Sequence, residues 1–232
     1  MSARATDSGV RRSQAQRRAL TIERLTNAVV HCLVTLGYSG TTTAAIAQQA
    51  GLSQGAIFRH FDSRQALLVA TMEVIADRFI ARYRDTVARI RASGADDISV
   101  AVLALRDVTR SHDQVAWFEV QQAARTDDAL RAGFRPVFLR NQKENMDLAR
   151  QLFPDTLATL PFFEDLVHML IQVFHGQTLD AHIDDSGQRD QRVLDTLLVL
   201  GRAGLPAIGN LSDLGENADN HQHPHEKAKQ DP

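Results

Sequence analysis

Apolar side chains recur at intervals of three and four residues along almost the whole chain, and this spacing constrains the fold more than any other feature. The first example covers one face of a segment and consists of Leu25, Ala28, Val29, Cys32, Leu33 and Leu36. This spacing is that of an amphipathic helix, and no segment shows the alternation of a half-buried strand. The sequence therefore predicts an all-α fold.

Glycine, proline and small polar residues divide this pattern into separate helices. We expect the first helix to end at Gly37, and a long helix to begin near Asp62 or Ser63 and to end by Gly94. Pro136 should kink a later helix, because proline lacks a backbone donor and clashes with the preceding turn. The remaining helices are predicted near residues 97–111, 113–124, 127–152, 161–181 and 188–203.

Two short helices joined by a glycine-containing turn are predicted between Thr42 and Phe61. A threonine run precedes the stretch AAIAQQA, Gly51 follows it, and Ser53 precedes the stretch QGAIFRHF. Threonine and serine oxygens accept hydrogen bonds from the unpaired amides at a helix start, so both residue types suit N-caps. This unit is a helix-turn-helix, which presents its second helix to the major groove of DNA.

The polar face of that second helix carries side chains that match base edges. Gln54 can pair with adenine, Arg59 can pair with guanine or a phosphate, and Ala56 can pack on a thymine methyl group. The partner that we expect is therefore double-stranded DNA.

Charge is distributed unevenly along the chain. Residues 1–64 carry eight arginines and three acidic side chains, a net charge of plus five, although the whole chain has a net charge of -2. The remaining residues therefore carry a negative net charge. A positive N-terminal end favours contact with a polyanion such as DNA.

Several functional classes lack the residues that they require. Cys32 is the only cysteine, which excludes an intramolecular disulfide and a zinc site built on paired thiolates. No uninterrupted apolar run approaches the roughly 20 residues of a membrane span, so we expect a cytoplasmic protein without membrane contact. No catalytic motif, phosphate-binding loop or dinucleotide fingerprint occurs, so we expect neither enzyme activity nor a cofactor.

The stretch LTNAVVHCLVTLGYSGTTTAAIAQQAGLSQGAIFRHFDSRQALL resembles the N-terminal domain of the TetR family of bacterial regulators. The resemblance covers about residues 20–70. The matching residues are Gly37-Tyr38, the threonines before Ile46-Ala47, Ala50-Gly51-Leu52-Ser53, Gly55, His60-Phe61 and Leu67-Leu68. It implies a three-helix DNA-binding domain, a connecting helix, a C-terminal bundle that binds a small molecule, and a homodimer formed through the last two long helices.

The resemblance also implies which residues lie at the DNA. Thr42 and Arg64 would contact phosphate groups. Phe58 stands where the family usually has tyrosine, so a phosphate-binding hydroxyl is absent, and Arg64 replaces the usual lysine with its charge retained. The predicted DNA-binding residues are Thr42, Thr43, Ser53, Gln54, Gly55, Ala56, Phe58, Arg59, His60 and Arg64.

The expected function is a ligand-responsive regulator, with repression as the family default. It would leave a pseudo-palindromic operator when a small-molecule effector binds. The predicted domains are a disordered basic leader at 1–16, a helix-turn-helix domain at 17–63, a ligand-binding and dimerisation domain at 64–209, and a disordered tail at 210–232. The candidate effector-pocket residues, for which plain core packing is the alternative, are Trp117, Phe118, Gln121, Phe138 and Phe174.

Two other functions stay open at this point. One is a metal-binding enzyme built on a helical bundle, although the paired Glu-x-x-His motifs of such sites are represented by one imperfect copy. Its candidate ligands are Glu164, Asp165, His168 and His175. The other is a non-specific architectural DNA-binding protein, against which the acidic C-terminal part and the scarcity of lysine argue.

Overall fold

The computed structural model describes residues 14–153, 158–159, 161–184 and 186–208. Residues 1–13 of the predicted leader and the predicted tail at 210–232 lie outside the described residues. Within the described ranges every regular element is a helix and no strand occurs. The all-α fold class is therefore confirmed.

The described part of the chain forms nine helices. They are α1 (Gln14–Gly40), α2 (Thr43–Ala50), α3 (Gln54–Phe58), α4 (Arg64–Arg91), α5 (Asp97–Thr109), α6 (His112–Ala123), α7 (Asp128–Leu152), α8 (Phe163–Asp180) and α9 (Gln188–Ile208). Their bounds lie close to the predicted ones, except that α9 continues beyond residue 203. Helix α7 runs through Pro136, and the kink there stays a prediction.

Helix α1 differs from the prediction at its start and agrees with it near its end. It begins at Gln14, so the last three residues of the predicted disordered leader are helical. The stretch QAQRRAL explains this correction, because it contains good helix formers and no helix breaker. Near the other end, Gly37 has φ 67° and ψ 178°, so the regular helix is interrupted there as predicted.

By length and composition alone, α1 is the one described helix that could cross a membrane. The sequence search for an uninterrupted apolar run missed it, because polar residues occur within the stretch. Leu25, Val29 and Leu33 on this helix are fully buried, and α1 contacts α2. Its apolar face therefore belongs to a protein core.

The chain divides into two compact units. Unit 1 comprises the residues up to Ala76 together with Val115–Val137, and unit 2 comprises Asp77–Gln114 together with the residues from Phe138 onward. Helices α4, α6 and α7 therefore each contribute residues to both units. The predicted domain boundary at residue 63 separates the expected DNA-binding part from the expected ligand-binding part, and it does not coincide with the division into packed units. The boundary stays a prediction.

The first three helices pack together and form part of the core of unit 1. Helix α1 contacts α2, and α2 contacts α3. Ile46 and Ile57 are fully buried, and the Trp117 ring meets the Phe134 ring edge-on with 4.9 Å between their centroids. The Tyr38 amide near the end of α1 donates to Glu119 of α6, so the helix-turn-helix belongs to a packed body that includes part of α6.

The core of unit 2 is centred on α5, which contacts α8 and α9. Phe174 of α8 packs in one cluster with Val102 and Leu194. A second cluster joins α5 to the unit 2 part of α4 through Val87 and Ala104. Unit 2 is therefore a helical bundle, as the apolar spacing predicts.

Candidate nucleic-acid interface

The two short helices α2 and α3 begin at the side chains that the sequence indicates. The Thr42 hydroxyl accepts a hydrogen bond from the Ala45 amide at 3.1 Å, and the Ser53 hydroxyl accepts one from the Ala56 amide at 3.2 Å. Gly51 ends α2 in the left-handed conformation, with φ 62° and ψ 40°. The predicted caps and turn are confirmed, and both helix starts are held by local bonds.

Small and branched apolar residues hold α2 against its neighbours. Ile46, Ala47 and Ala50 are buried on α2, and Ile57 is buried on α3. Leu52, in the turn between the two helices, is half-buried. The small Ala47 side chain permits the close approach that the turn at Gly51 requires.

The opposite face of α3 is open to solvent. Gln54, Gly55 and Arg59 are exposed, and Phe58 is exposed by 53%. Ala56 and His60 are half-buried beside them. The predicted base-reading side chains therefore share one accessible surface, which we call the α3 face.

Thr42 and Thr43 stand at the start of α2, where the Thr42 cap holds the backbone in place. Thr42 is exposed and Thr43 is half-buried. In Thr42 the hydroxyl oxygen is used as an acceptor by the helix cap, but its O–H remains a donor. Such a donor at a fixed position is what a phosphate oxygen accepts from.

Arg64 makes contacts inside unit 1 that sequence reasoning missed. Its Nε donates to the Thr41 carbonyl oxygen at 2.6 Å, and one terminal nitrogen donates to the Tyr38 carbonyl oxygen. The guanidinium carbon also lies 4.2 Å from the centroid of the Tyr38 ring. Arg64 therefore braces the turn that leads to Thr42, and its predicted phosphate contact would use the remaining N–H donors.

Arg24 braces the other end of α2 in the same way. Its terminal nitrogen donates to the Ala50 carbonyl oxygen at 2.7 Å, next to the turn at Gly51. Charged donors give stronger hydrogen bonds to carbonyl groups than neutral donors do. Both ends of α2 are thus fixed by arginines that come from other helices, α4 and α1.

Tyr38 connects this turn to helix α6 and to the start of α7. Its backbone amide donates to Oε2 of Glu119 at 2.7 Å, and its hydroxyl donates to Oδ2 of Asp127 at 3.1 Å. The Leu130 amide, which donates to the other Asp127 oxygen, lowers the pKa of Asp127, and burial raises the pKa of Tyr38. The tyrosine therefore keeps its proton opposite an ionised carboxylate.

The candidate effector-pocket residues fall in both units. Trp117 and Phe118 are buried and Gln121 is exposed, all three in unit 1. Phe138 is half-buried and Phe174 is buried, both in unit 2. The assignment of these five residues to an effector pocket stays a prediction.

Two of the candidate metal ligands on α8 lie beside other side chains. Glu164 forms an ion pair with Arg150, and His168 is exposed with its Nε2 3.5 Å from the Gln172 amide nitrogen. Burial lowers the pKa of His175 to about 4. Among the residues that the structure describes, no three His, Cys, Asp or Glu side chains form a group that could hold a metal ion.

Comparison with known proteins agrees with this geometry. The family described as bacterial regulatory proteins, tetR family, matches residues 25–71, which include α2, α3 and the start of α4. An uncharacterised helix-turn-helix-type transcriptional regulator of Mycobacterium tuberculosis is 30% identical over 199 residues, which cover 84% of this chain and 99% of that protein. The chain belongs to the TetR family. The resemblance read from the sequence is confirmed.

Solved structures of regulators share the fold of this TetR-family protein. A transcriptional regulator from a Rhodococcus species has a TM-score of 0.59 at 19% identity and covers 76% of this chain and 91% of its own. The regulator FadR from Bacillus subtilis has a TM-score of 0.57 at 15% identity and covers 78% of this chain and 98% of its own. At these identities the likeness establishes the fold.

Proposed function

We propose that this TetR-family regulator is a repressor that binds a pseudo-palindromic operator and releases it when a small molecule binds its C-terminal helices. The observation that carries the proposal is the α3 face, where Gln54, Phe58 and Arg59 are exposed on a helix with a fixed start. A rigid scaffold with exposed polar and aromatic side chains is what base reading requires.

Each residue of the α3 face has a separate role in this proposal. Gln54 reads a base, with adenine as the matching edge, and Arg59 contacts guanine or a phosphate. Phe58 packs against the sugar backbone. Thr42 donates its hydroxyl proton to a phosphate, and Arg64 supports it by fixing the preceding turn.

The dimer of the proposal is formed by α8 and α9. These helices carry exposed apolar side chains, which are Met169, Val173, Leu179, Val199 and Leu200. Met169 and Val173 are one turn apart on α8, so they share a face. A two-fold interface through these helices would cover the apolar surface and place two α3 faces about 34–36 Å apart, or a multiple of that distance, on the DNA.

Release of the operator follows from a coupling between the effector and the reading surface. The FadR structure that shares this fold was solved in complex with stearoyl-CoA. Here helix α6 contributes to both units, and its Glu119 accepts the Tyr38 amide beside the turn that leads to Thr42. A coupling free energy of about 1–3 kcal/mol through α6 would weaken operator binding 5- to 150-fold.

The proposal also specifies the cellular location of the protein and its lack of catalysis. A regulator of this kind works in the cytoplasm, where its DNA is, and carries out no catalysis. The matched relatives are transcriptional regulators rather than enzymes. A preference of about a thousandfold for the operator over bulk DNA in a competition shift assay would distinguish it from an architectural protein.

The first experiment identifies the operator by selecting genomic DNA fragments with the purified protein. We expect a recovered site with two-fold symmetry. Gln54→Ala should then lower affinity for that site by about 1–3 kcal/mol in a fluorescence titration, and leave binding to scrambled duplex unchanged. Gln122→Ala is the matched control, because Gln122 is exposed on α6 and lies outside the α3 face.

Two outcomes would contradict parts of the proposal. Equal losses on the operator and on scrambled DNA for Gln54→Ala would remove its role in base reading. A monomer by light scattering, with the same mass for Val199→Asp and wild type, would remove the α8–α9 dimer.

A further inference from the structure

The residues from Gly37 to Thr42, which we call the 37–42 segment, are bonded to one another before α2 begins. The Thr41 hydroxyl donates to the Gly37 carbonyl oxygen at 2.7 Å, and the Thr41 amide donates to the same oxygen at 3.2 Å. The Thr42 amide donates to the Gly40 carbonyl oxygen at 2.9 Å. Thr41 itself is fully buried. A group that holds one part of this segment therefore also fixes the position of Thr42.

A carboxylate from α6 holds the backbone of the 37–42 segment. Oε2 of Glu119 accepts from the Tyr38 amide at 2.7 Å, and it would lie 3.3 Å from a Cβ atom placed on Gly37. The glycine therefore leaves the room that the carboxylate needs for its close approach. A hydrogen bond to a carboxylate is stronger than one between neutral groups, so Glu119 attaches the segment firmly to α6.

A second carboxylate, just before α7, holds the Tyr38 side chain. Oδ2 of Asp127 accepts from the Tyr38 hydroxyl at 3.1 Å, while its Oδ1 accepts from the Leu130 amide at 2.9 Å. The bond to Leu130 caps α7, so this carboxylate is fixed independently of Tyr38. Arg64 of α4 donates to the Tyr38 carbonyl oxygen. Tyr38 thus attaches the segment to α4, to α6 and to the start of α7, all within unit 1.

The sign of the two carboxylate charges is the reverse of what a DNA contact favours. Thr42, the proposed phosphate contact, lies only four residues after Tyr38. Negative side chains at such a place repel a polyanion, so neutral residues would serve DNA binding better if charge alone acted. Charge and geometry therefore predict opposite effects when either carboxylate is removed.

We propose that Glu119 and Asp127 are positioning residues for operator binding, which act through Tyr38 to hold the Thr42 hydroxyl where a phosphate oxygen accepts from it. Both residues therefore strengthen binding to duplex DNA in spite of their negative charge. This inference rests on the proposed function and deepens it, because it names the residues that set the phosphate contact. It concerns the protein without effector.

The first test compares Glu119→Ala with Glu119→Gln in fluorescence titrations on the operator and on scrambled duplex. Glu119→Ala removes the acceptor and should weaken binding to both duplexes about 10-fold, since a phosphate contact carries no sequence information. Glu119→Gln keeps an acceptor oxygen without the charge, and its affinity should stay within about threefold of the wild type. Equal or tighter binding by Glu119→Ala would overturn the proposal.

Two control variants separate this effect from stability and from surface charge. Ile75→Val makes a small cavity at a buried position of α4, and it should lower Tm by about 2–4 °C with unchanged affinity. Glu73→Ala removes an exposed acidic group from the same helix and should not weaken binding. A loss of affinity for Ile75→Val equal to that for Glu119→Ala would make lowered stability the cause and would overturn the assignment.

A double-mutant cycle tests whether Glu119 acts through Thr42. Titrations at low salt keep weakened binding measurable. In a Thr42→Val background, Glu119→Ala should cost less than about twofold in affinity, because the contact that it positions is already absent. In a Gln54→Ala background it should still cost about 10-fold. Equal costs in the two backgrounds would overturn the action through Thr42.

Asp127 is tested through the hydroxyl group that it binds. Asp127→Ala should weaken duplex binding about threefold in the wild type, in keeping with one lost hydrogen bond. The same substitution should not change affinity in Tyr38→Phe, where that hydrogen bond is already absent. A loss that persists in Tyr38→Phe would leave Asp127 only as the cap of α7 and would overturn its assignment.

Hydrogen exchange of the free protein separates this inference from the function on which it rests. The Ala45 amide, which donates to the Thr42 hydroxyl, reports the geometry of the cap without DNA. Its exchange should be about 10-fold faster in Glu119→Ala than in Glu119→Gln. If this difference occurs and the wild type prefers no operator, the positioning of Thr42 stands and the proposed function fails. If the wild type recognises its operator and the exchange rates are equal, the positioning fails and the function stands.

Discussion

Unit 1 and unit 2 differ in whether all of their described buried polar side-chain atoms have hydrogen-bond partners. Around the helix-turn-helix of unit 1, arginine, tyrosine and hydroxyl groups are bound by neighbouring carbonyl or carboxylate groups, as for Arg64 with Thr41. Among the described residues, the buried side-chain atoms without partners all belong to unit 2. The first arrangement holds one geometry, whereas the second leaves buried donors without acceptors among the described residues.

This difference corresponds to the two tasks of a regulator. A surface that reads bases must be in place before DNA arrives, because ordering it on contact would reduce affinity. A site that senses a ligand must bind that ligand more tightly in one conformation of the protein than in another. The reason is that a ligand shifts a conformational equilibrium only by this difference in affinity. The following substitutions test whether the two units differ in this way.

Arg64→Met should have the largest effect. It leaves the Tyr38 and Thr41 carbonyl oxygens without their charged donor, and we expect the free energy of unfolding to fall by about 2–3 kcal/mol. Urea denaturation measures this change. Arg59→Met is the control, because Arg59 is exposed and its replacement should change stability by less than about 0.5 kcal/mol.

The same pair of variants separates bracing from contact with DNA. Arg59→Met should weaken operator binding in a protein of normal stability, whereas Arg64→Met should reduce both properties. If Arg64→Met keeps full stability and loses only DNA affinity, unit 1 is not the internally braced body described above.

Asp96→Ala examines a part of unit 2 where polar groups are paired. Asp96 caps α5 by accepting from the Ser99 amide at 2.9 Å, and it also pairs with Arg202 at 3.0 Å. We expect a loss of about 1 kcal/mol at neutral pH. Asp85→Ala is the control, since Asp85 is exposed within α4.

The pH dependence of Asp96 has a defined sign. Hydrogen bonds from the Ser99 hydroxyl and amide, together with Arg202, lower the pKa of Asp96 to about 2. Its stabilising contribution is therefore complete above the unfolded pKa of about 3.9, and it is lost as the pH falls toward 2. Wild type and Asp96→Ala should converge in stability over that interval, and parallel curves would contradict the assignment.

The two tyrosines give the smallest expected effects, one from each unit. Tyr38→Phe removes the hydrogen bond to Asp127, and Tyr83→Phe removes a bond to the Ala101 carbonyl at 3.3 Å. Each should lower the free energy of unfolding by about 0.5–1.5 kcal/mol at neutral pH, with the smaller loss for the longer Tyr83 bond. Equilibrium denaturation in urea measures both values.

Alkaline pH distinguishes Tyr83 further. Burial raises the pKa of Tyr83 to about 12. The neutral phenol therefore stabilises the fold fully below the unfolded pKa of about 10, and this contribution is lost as the pH rises toward 12. Tyr83→Phe should flatten the loss of stability in that interval, and an unchanged alkaline slope would show that Tyr83 is solvated.

Local features of the interface could be predicted because their causes are local. Thr42 and Ser53 cap helices through amides three residues ahead, and Gly51 takes a conformation that glycine adopts without strain. Apolar spacing likewise identified the helices, since burial follows the 3.6-residue period. The family was recognisable for the same reason, because its motif is one continuous stretch.

Contacts between distant residues could not be predicted in this way. Tyr38 meets Glu119 and Asp127 after separations of 81 and 89 residues, and nothing near Tyr38 indicates either partner. The family resemblance and the positive charge of Arg64 predict a phosphate contact, whereas its bonds to backbone carbonyls depend on where α4 packs. Burial of a polar residue is likewise decided by neighbouring helices.

The amino-acid order by itself determined the helices, their caps, the exposed α3 face and the family. Tertiary packing alone decided that α6 is joined to the reading turn. It also decided that the side-chain nitrogens of Gln114 and Asn141 lie buried without an acceptor among the described residues. The physical reason is the range of the forces involved. Capping and periodicity act within one or two turns, whereas the satisfaction of a buried donor depends on every helix that surrounds it.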